Sequence, residues 1–185
     1  MGYDARIPVE DIGPARRAVD AVVVRFVDWA ADAFVRHWLL LANGVIGVFA
    51  FLPFLAPYLV SIGQTSLAQS IYVAYSYTCH QMPSRSWFLF GQQMAWCERD
   101  TAIWVAMLLA GLTFGWRRGR QRRLSFRLYL LLIAPMAIDG FTQAFGWRES
   151  TWLLRTLTGT LFGAASVYLT YPYLQRAVTD PRLWE

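Results

Sequence analysis

The sequence predicts an all-α integral membrane protein, a four-helix transmembrane bundle with both termini cytoplasmic. Three observations carry this expectation. First, 56% of the 185 residues are hydrophobic and 16% charged, with nine Trp, nine Tyr and twelve Phe, and the mean hydropathy is +0.33, a balance that points away from water. Second, four separate stretches are apolar enough to enter a bilayer. Third, all 17 basic residues are Arg, and 13 of them fall in residues 6–36, 117–127 and 176–182, so the net charge of +5 is local. That grouping argues against a nucleic-acid face, because no basic stripe with interleaved aromatics lies on a soluble element.

Residues 1–37 form an N-terminal interfacial segment. It lacks the apolar core of a signal peptide and carries five Arg against six acids, so it is expected to be retained. From Pro14 onward the polar residues Arg16, Asp20, Asp28, Asp32 and Arg36 recur at multiples of four, with Val22, Val23, Phe26, Trp29, Ala30 and Phe34 on the remaining surface. This pattern is an amphipathic helix, suited to the membrane surface or the flank of a bundle.

The membrane domain covers residues 38–176, with spans expected at 38–62, 97–116, 126–146 and 152–174, followed by a cytoplasmic tail, 177–185. Residues 38–62 carry no charge; Pro53 and Pro57 should kink the outer half, which is tolerated where neighbours satisfy the freed carbonyls. The apolar run 102–116 is too short to span alone, so the second helix begins near Cys97 and places Cys97, Glu98, Arg99 and Asp100 in its first turn. Pro135 and Asp139 interrupt the third span, and Arg155 lies one turn inside the fourth. Gly111 with Gly115, Gly159 with Gly163, and Ala102, Ala106 and Ala110 recur at four-residue steps that let helices approach closely, although small residues are common in membrane helices anyway.

Arginine counts set the orientation. The loop 117–127 has six Arg and no acid, whereas the loop 63–101 between spans 1 and 2 has only Arg85 and Arg99. The first is therefore expected to be cytoplasmic and the second extracytoplasmic, in a multi-pass protein of the cell's inner (plasma) membrane. Trp87, Trp96, Trp147 and Trp152 fit an outer aromatic belt, and Trp38 and Trp116 an inner one.

With that topology the chemically unusual residues gather at the outer end. Two cysteines exclude a disulfide framework or an all-thiolate cluster. Two histidines, His37 and His80, with no Cys-x-x-Cys-His run, offer no ordinary haem ligation, and His37 is read as interfacial. Cys97 and Asp100 share a helix face while Cys79 and His80 arrive from a loop, so Cys79, His80, Cys97 and Asp100 form a ligand set compatible with zinc. A Cys79 to Cys97 disulfide, common on the oxidising side of a membrane, and two unpaired thiols are the alternatives. Asp139 lies about 10 Å below its helix end with Gln143 one turn above it. It is expected in a buried polar network with Arg85, Arg99, Arg148, Glu149 and Arg155, with Arg155 as first partner; a structural pair and a proton-handling carboxylate look alike at this level. Ser150 or Thr151 should cap the fourth helix.

The runs Cys79-His80-Gln81-Met82-Pro83-Ser84-Arg85-Ser86-Trp87 through Gln93, Cys97-Glu98-Arg99-Asp100-Thr101, Pro135-Met136-Ala137-Ile138-Asp139-Gly140-Phe141-Thr142-Gln143, Gly146-Trp147-Arg148-Glu149-Ser150-Thr151, Leu154-Arg155 and Thr158-Gly159 together resemble the uncharacterised membrane family known as domain of unknown function 2085. The resemblance spans roughly residues 75 to 165 and leaves the first 65 or so outside. The family pattern normally reads Cys-x-Arg-Cys where this chain has Cys97-Glu98-Arg99-Asp100, and Gly where it has Ala102. A third cysteine favours a metal or thiol-exchange site; its replacement by Asp100 weakens that reading without removing it, since Asp also binds zinc.

Two function classes fit. One is an accessory or assembly subunit of a larger membrane complex, in which the cysteines are bridged, the charged pairs fix helix packing, and the partners are the bilayer and other membrane subunits. The other is a small membrane metalloprotein or enzyme, with zinc, another metal or thiol redox chemistry at an outward-facing site. No nucleic-acid partner is expected. A transporter fits poorly, because four short spans show no internal repeat.

Overall fold

The computed structural model describes residues 13–117 and 123–180; residues 1–12 of the N-terminal segment, 118–122 of the basic loop and 181–185 of the tail lie outside the described residues. The described residues form five α-helices: α1 (Pro14–Ser61), α2 (Thr65–Ser76), α3 (Glu98–Trp116), α4 (Phe126–Ala144) and α5 (Trp152–Thr179). A 3-10 turn at Pro83–Arg85 and an antiparallel hairpin of β1 (Phe88–Leu89) and β2 (Gln92–Gln93) complete them. The chain divides into two compact units, Met1–Trp38 and Leu39–Glu185.

In the first unit α1 leaves Val22, Val23, Phe26, Trp29 and Phe34 exposed, with the Phe26 and Trp29 rings 6.0 Å apart. The helix runs on into the second unit without a break, because no Gly or Pro stands near Arg36 to end it. The amphipathic segment and the first expected span are thus one continuous helix of 48 residues.

In the second unit the later part of α1 and helices α3, α4 and α5 cover most of the stretches expected as spans at 38–62, 97–116, 126–146 and 152–174. The segment 63–101, expected as a loop, also contains α2. Ala68 and Tyr75 are buried and Ile71 and Tyr72 half-buried, a spacing of three and four residues that marks one helix face. Among the described residues α1 is the one helix that is, by length and composition, apolar enough to cross a membrane.

The prolines explain two long-range bonds. Pro53 has no N–H to give the Phe49 carbonyl, and the Tyr75 hydroxyl of α2 donates to that oxygen instead at 3.1 Å. Pro172 frees the Tyr168 carbonyl in the same way, and the Leu124 N–H donates to it at 3.4 Å. Each proline in this way ties its helix to a neighbouring segment.

Helices α3 and α5 touch backbone to backbone. A Cβ at Gly159 would stand 2.7 Å from the Arg99 carbonyl oxygen, and one at Gly163 would press into that of Ile103; Ala102 and Ala106 fill the same seam. The small residues at four-residue steps therefore serve close packing here. Gly111 instead makes room for Asn43 of α1, whose Oδ1 accepts from the Tyr171 hydroxyl at 3.0 Å.

An aromatic core lies between α1, α2 and α3. Trp104 stacks on Phe49 at 4.9 Å and on Trp96 at 5.4 Å, and Tyr75 meets Trp96 edge-on at 4.6 Å. Trp96 is only 1% exposed and its Nε1 donates to Thr78 Oγ1. It is a core residue rather than part of an outer belt, whereas Trp116, Trp147 and Trp152 are exposed.

Candidate metal and ion-pair site

Cys97 is the N-cap of α3. Its sulfur accepts from the Asp100 N–H at 3.5 Å, an N-cap with sulfur in place of a hydroxyl, and its thiol donates to Asp100 Oδ2 at 3.2 Å. Cys79 follows α2, held by its N–H to the Tyr75 carbonyl at 3.0 Å, and its sulfur accepts the Cys97 N–H at 3.3 Å.

Gln81 locks the intervening loop. Its side-chain amide donates to the Tyr72 and Ala95 carbonyls at 2.7 and 3.0 Å, and its main-chain carbonyl accepts from Gln93 Nε2 at 2.6 Å. Gln93 also donates to Ser86 Oγ. These two glutamines position the cysteines. Read as ordinary loop residues, they carry no signal beyond their place in the family motif.

The ligand atoms of Cys79, Cys97 and Asp100 lie within 4.8 Å of one another. The two sulfurs are 3.8 Å apart and unbridged, so the disulfide alternative does not describe this structure; a bond brings them to about 2.05 Å. His80 is exposed and lies outside that three-residue group, although it lines the same cavity. The cavity, about 210 Å³, is lined by residues that include Cys79, Cys97, Asp100, Arg85, Arg99 and Arg155. The neighbouring Cys97 side chain holds the Cys79 thiol below its ordinary range, against burial, which pushes it up; the Gln81 and Cys97 N–H groups lower it further, and the Asp100 charge opposes them.

Two ion-pair groups stand beside this cluster. Asp139 of α4 is 1% exposed and pairs with Arg99 of α3 through Oδ2 and with Arg148 through Oδ1 at 2.5 Å. Ser150 Oγ donates to it as well, at 2.8 Å. Arg155, the expected first partner of Asp139, pairs instead with buried Glu98 at 2.9 Å. That assignment changes because Glu98, at the first turn of α3, lies opposite α5 across the glycine seam, whereas Arg99 and Arg148 already saturate Asp139. Ser150 joins the groups: its hydroxyl serves Asp139 and its carbonyl accepts from Arg155 at 2.5 Å. Thr151 is the cap of α5.

Arg148 reaches back because α4 ends in a reversal. Gly146, at φ +70, donates to the Gln143 carbonyl and Trp147 to that of Thr142, a Schellman ending that requires the left-handed conformation. The turn points Arg148 at Thr142 and Asp139. Gln143 and Arg85 line the cavity, and Glu149 is exposed and takes part in none of these bonds.

Residues 79–169 match the family described as predicted membrane protein, domain of unknown function 2085 (DUF2085). An uncharacterized protein of Methanocaldococcus jannaschii is 37% identical over 126 residues, covering 64% of this chain and 81% of that protein. The chain belongs to this family. A second relative, an uncharacterized protein of Methanothermobacter thermautotrophicus, is 34% identical over 96 residues, covering 52% of this chain and 86% of the relative. No solved structure matches the chain. The DUF2085 region begins at Cys79, so it holds the whole cysteine and ion-pair site but leaves out α1 and α2.

Proposed function

We propose that this DUF2085 protein is a multi-pass membrane metalloprotein with a zinc-type centre at the extracytoplasmic end of its helices. The observation that carries this reading is the spacing of Cys79, Cys97 and Asp100. Two thiolates on a tetrahedral zinc with bonds of about 2.3 Å stand about 3.8 Å apart, and the sulfurs here are 3.8 Å apart with the Asp100 carboxylate beside them. Three protein ligands facing a cavity leave a fourth position, which His80 on the rim fills when its ring turns inward. The pull on the Cys79 proton works in the same direction, since a metal takes thiolate.

Helix length is compatible with a multi-pass reading. Helices α3 and α4, of 19 residues each, reach about 28 Å, close to the roughly 30 Å of a hydrocarbon core. The arginine bias puts the site on the outer side in this reading, with both termini inside. Cobalt titration of reduced, detergent-purified protein tests the centre. Tetrahedral thiolate coordination gives intense visible bands and a sulfur-to-cobalt charge-transfer band that Cys97→Ser removes. A purely octahedral cobalt spectrum rules the reading out.

A second reading, an accessory or assembly subunit of a larger membrane complex, draws on a different observation. Asp139 and Glu98 are both consumed by arginines, so the network that an enzyme would use for proton transfer is saturated with structural bonds. In that reading Cys79→Ser leaves assembly of the complex intact, while Asp139→Asn abolishes it.

A further inference from the structure

The cavity beside the cysteines has arginine and amide donors in surplus. Arg85, Arg99, Arg155 and Gln143 all line it. Arg99 Nε, Arg155 Nε and Gln143 Nε2 are buried and have no hydrogen-bond partner, and Arg155 is only 5% exposed. Arg85, half-buried, has no ion pair among the described residues. On the acceptor side, Asp139 takes Arg99, Arg148 and Ser150, Glu98 takes Arg155, and Asp100 takes the Cys97 thiol.

Buried donors that lack acceptors are rare in folded proteins, and each calls for a partner. Guanidinium groups have no acceptor atoms of their own. Donors of this kind are matched by a group that only accepts, above all a carboxylate or phosphate, which arginine binds through paired N–H bonds. We infer that this cavity binds a small oxyanion on Arg85, with Arg155, Arg99 and Gln143 as inner-wall donors. At about 210 Å³ the space holds a tetrahedral anion, given about 30 Å³ per water in the liquid. The inference deepens the metal reading by naming the class of molecule that reaches the centre, and its test runs on metal-free protein so that either can fail alone.

Full-length protein, stripped of metal in detergent, is titrated calorimetrically with inorganic phosphate and with acetate, against chloride at equal ionic strength. Saturable binding of phosphate or acetate is expected, weakened at least tenfold by Arg85→Gln and within twofold of wild type for the charge-matched control Arg127→Gln. An unchanged melting temperature of Arg85→Gln without ligand shows that the variant folds. Nanodiscs separate the sources: free phosphate that binds in phosphatidylcholine discs but is blocked in phosphatidylglycerol discs assigns the site to a lipid headgroup, and binding in both assigns it to a soluble anion. No saturable binding of either anion by the wild type, or equal affinity in Arg85→Gln, overturns the inference.

Discussion

The guanidinium of Arg155 lies 2.9 Å from the carboxylate of Glu98, with only 7% and 9% of the two side chains exposed. This pair ties α5 to α3 one turn from the crossing at Gly159, where the two backbones meet. Removing one member leaves the other charged, mostly buried and without its partner. Glu98→Gln and Arg155→Gln are each expected to cost about 3–5 kcal/mol, and the double variant to recover much of that loss. Thermal melts in detergent check it; simple addition of the two single losses would show that the groups do not interact.

Asp139 gives a graded series. Its carboxylate is buried, whereas the Arg99 side chain is 19% exposed and that of Arg148 42%. Asp139→Asn is expected to cost about 3 kcal/mol, since it strands Arg99. Arg148→Gln should cost about 1 kcal/mol or less, because an exposed partner is screened by solvent. The same melts rank them, with Asp139→Asn, Arg99→Gln as the rescuing double variant. Rescue by Arg155→Gln instead would contradict the pairing seen here.

Most of this arrangement was legible from residue order, and the exceptions have physical causes. Four helices, the glycine seam and the gathering of Cys79, Cys97 and Asp100 follow from hydropathy, small-residue spacing and the position of Cys97 at a helix start. The partner of Asp139 did not follow. Depth along a helix says which arginines are near, but rotation about the axis decides which one faces the carboxylate, and residue order does not show that rotation. Helix α2 was hidden because its one buried face is narrow and most of its other residues are polar or small, a pattern that also fits a loop. Trp96 resembled an interfacial anchor because tryptophan is common there; three aromatic neighbours hold it inside.

The glycine seam predicts an order of severity. A Cβ at Gly163 meets the Ile103 carbonyl more closely than one at Gly159 meets that of Arg99. Backbone cannot move aside as a side-chain tip can, so both Gly→Ala changes should destabilise by about 1–3 kcal/mol, with Gly163→Ala the worse. Gly44, with open space around it, serves as the control and should tolerate Ala.

Titration of the thiols in reduced, metal-free protein tests the cysteine geometry. The bond to Cys97 lowers the Cys79 proton affinity and the Asp100 charge raises it. A lowered value means that thiolate appears at a lower pH than for a free cysteine. Cys97→Ala should therefore move the first thiolate transition to higher pH, and Asp100→Asn should move it lower. Ultraviolet thiolate absorbance across a pH series reads both, and shifts in the opposite directions would mean that the contacts around Cys79 are misassigned.

The central claim is that Cys79, Cys97 and Asp100 hold a metal ion. Elemental analysis of protein purified from membranes without chelator, alongside intact mass before and after reduction, tests it most directly. The account predicts about one zinc per chain, retained through desalting, lost in Cys79→Ser and Cys97→Ser, with no mass change on reduction. Metal-free protein whose mass rises on reduction by the two hydrogens of an opened disulfide would contradict it.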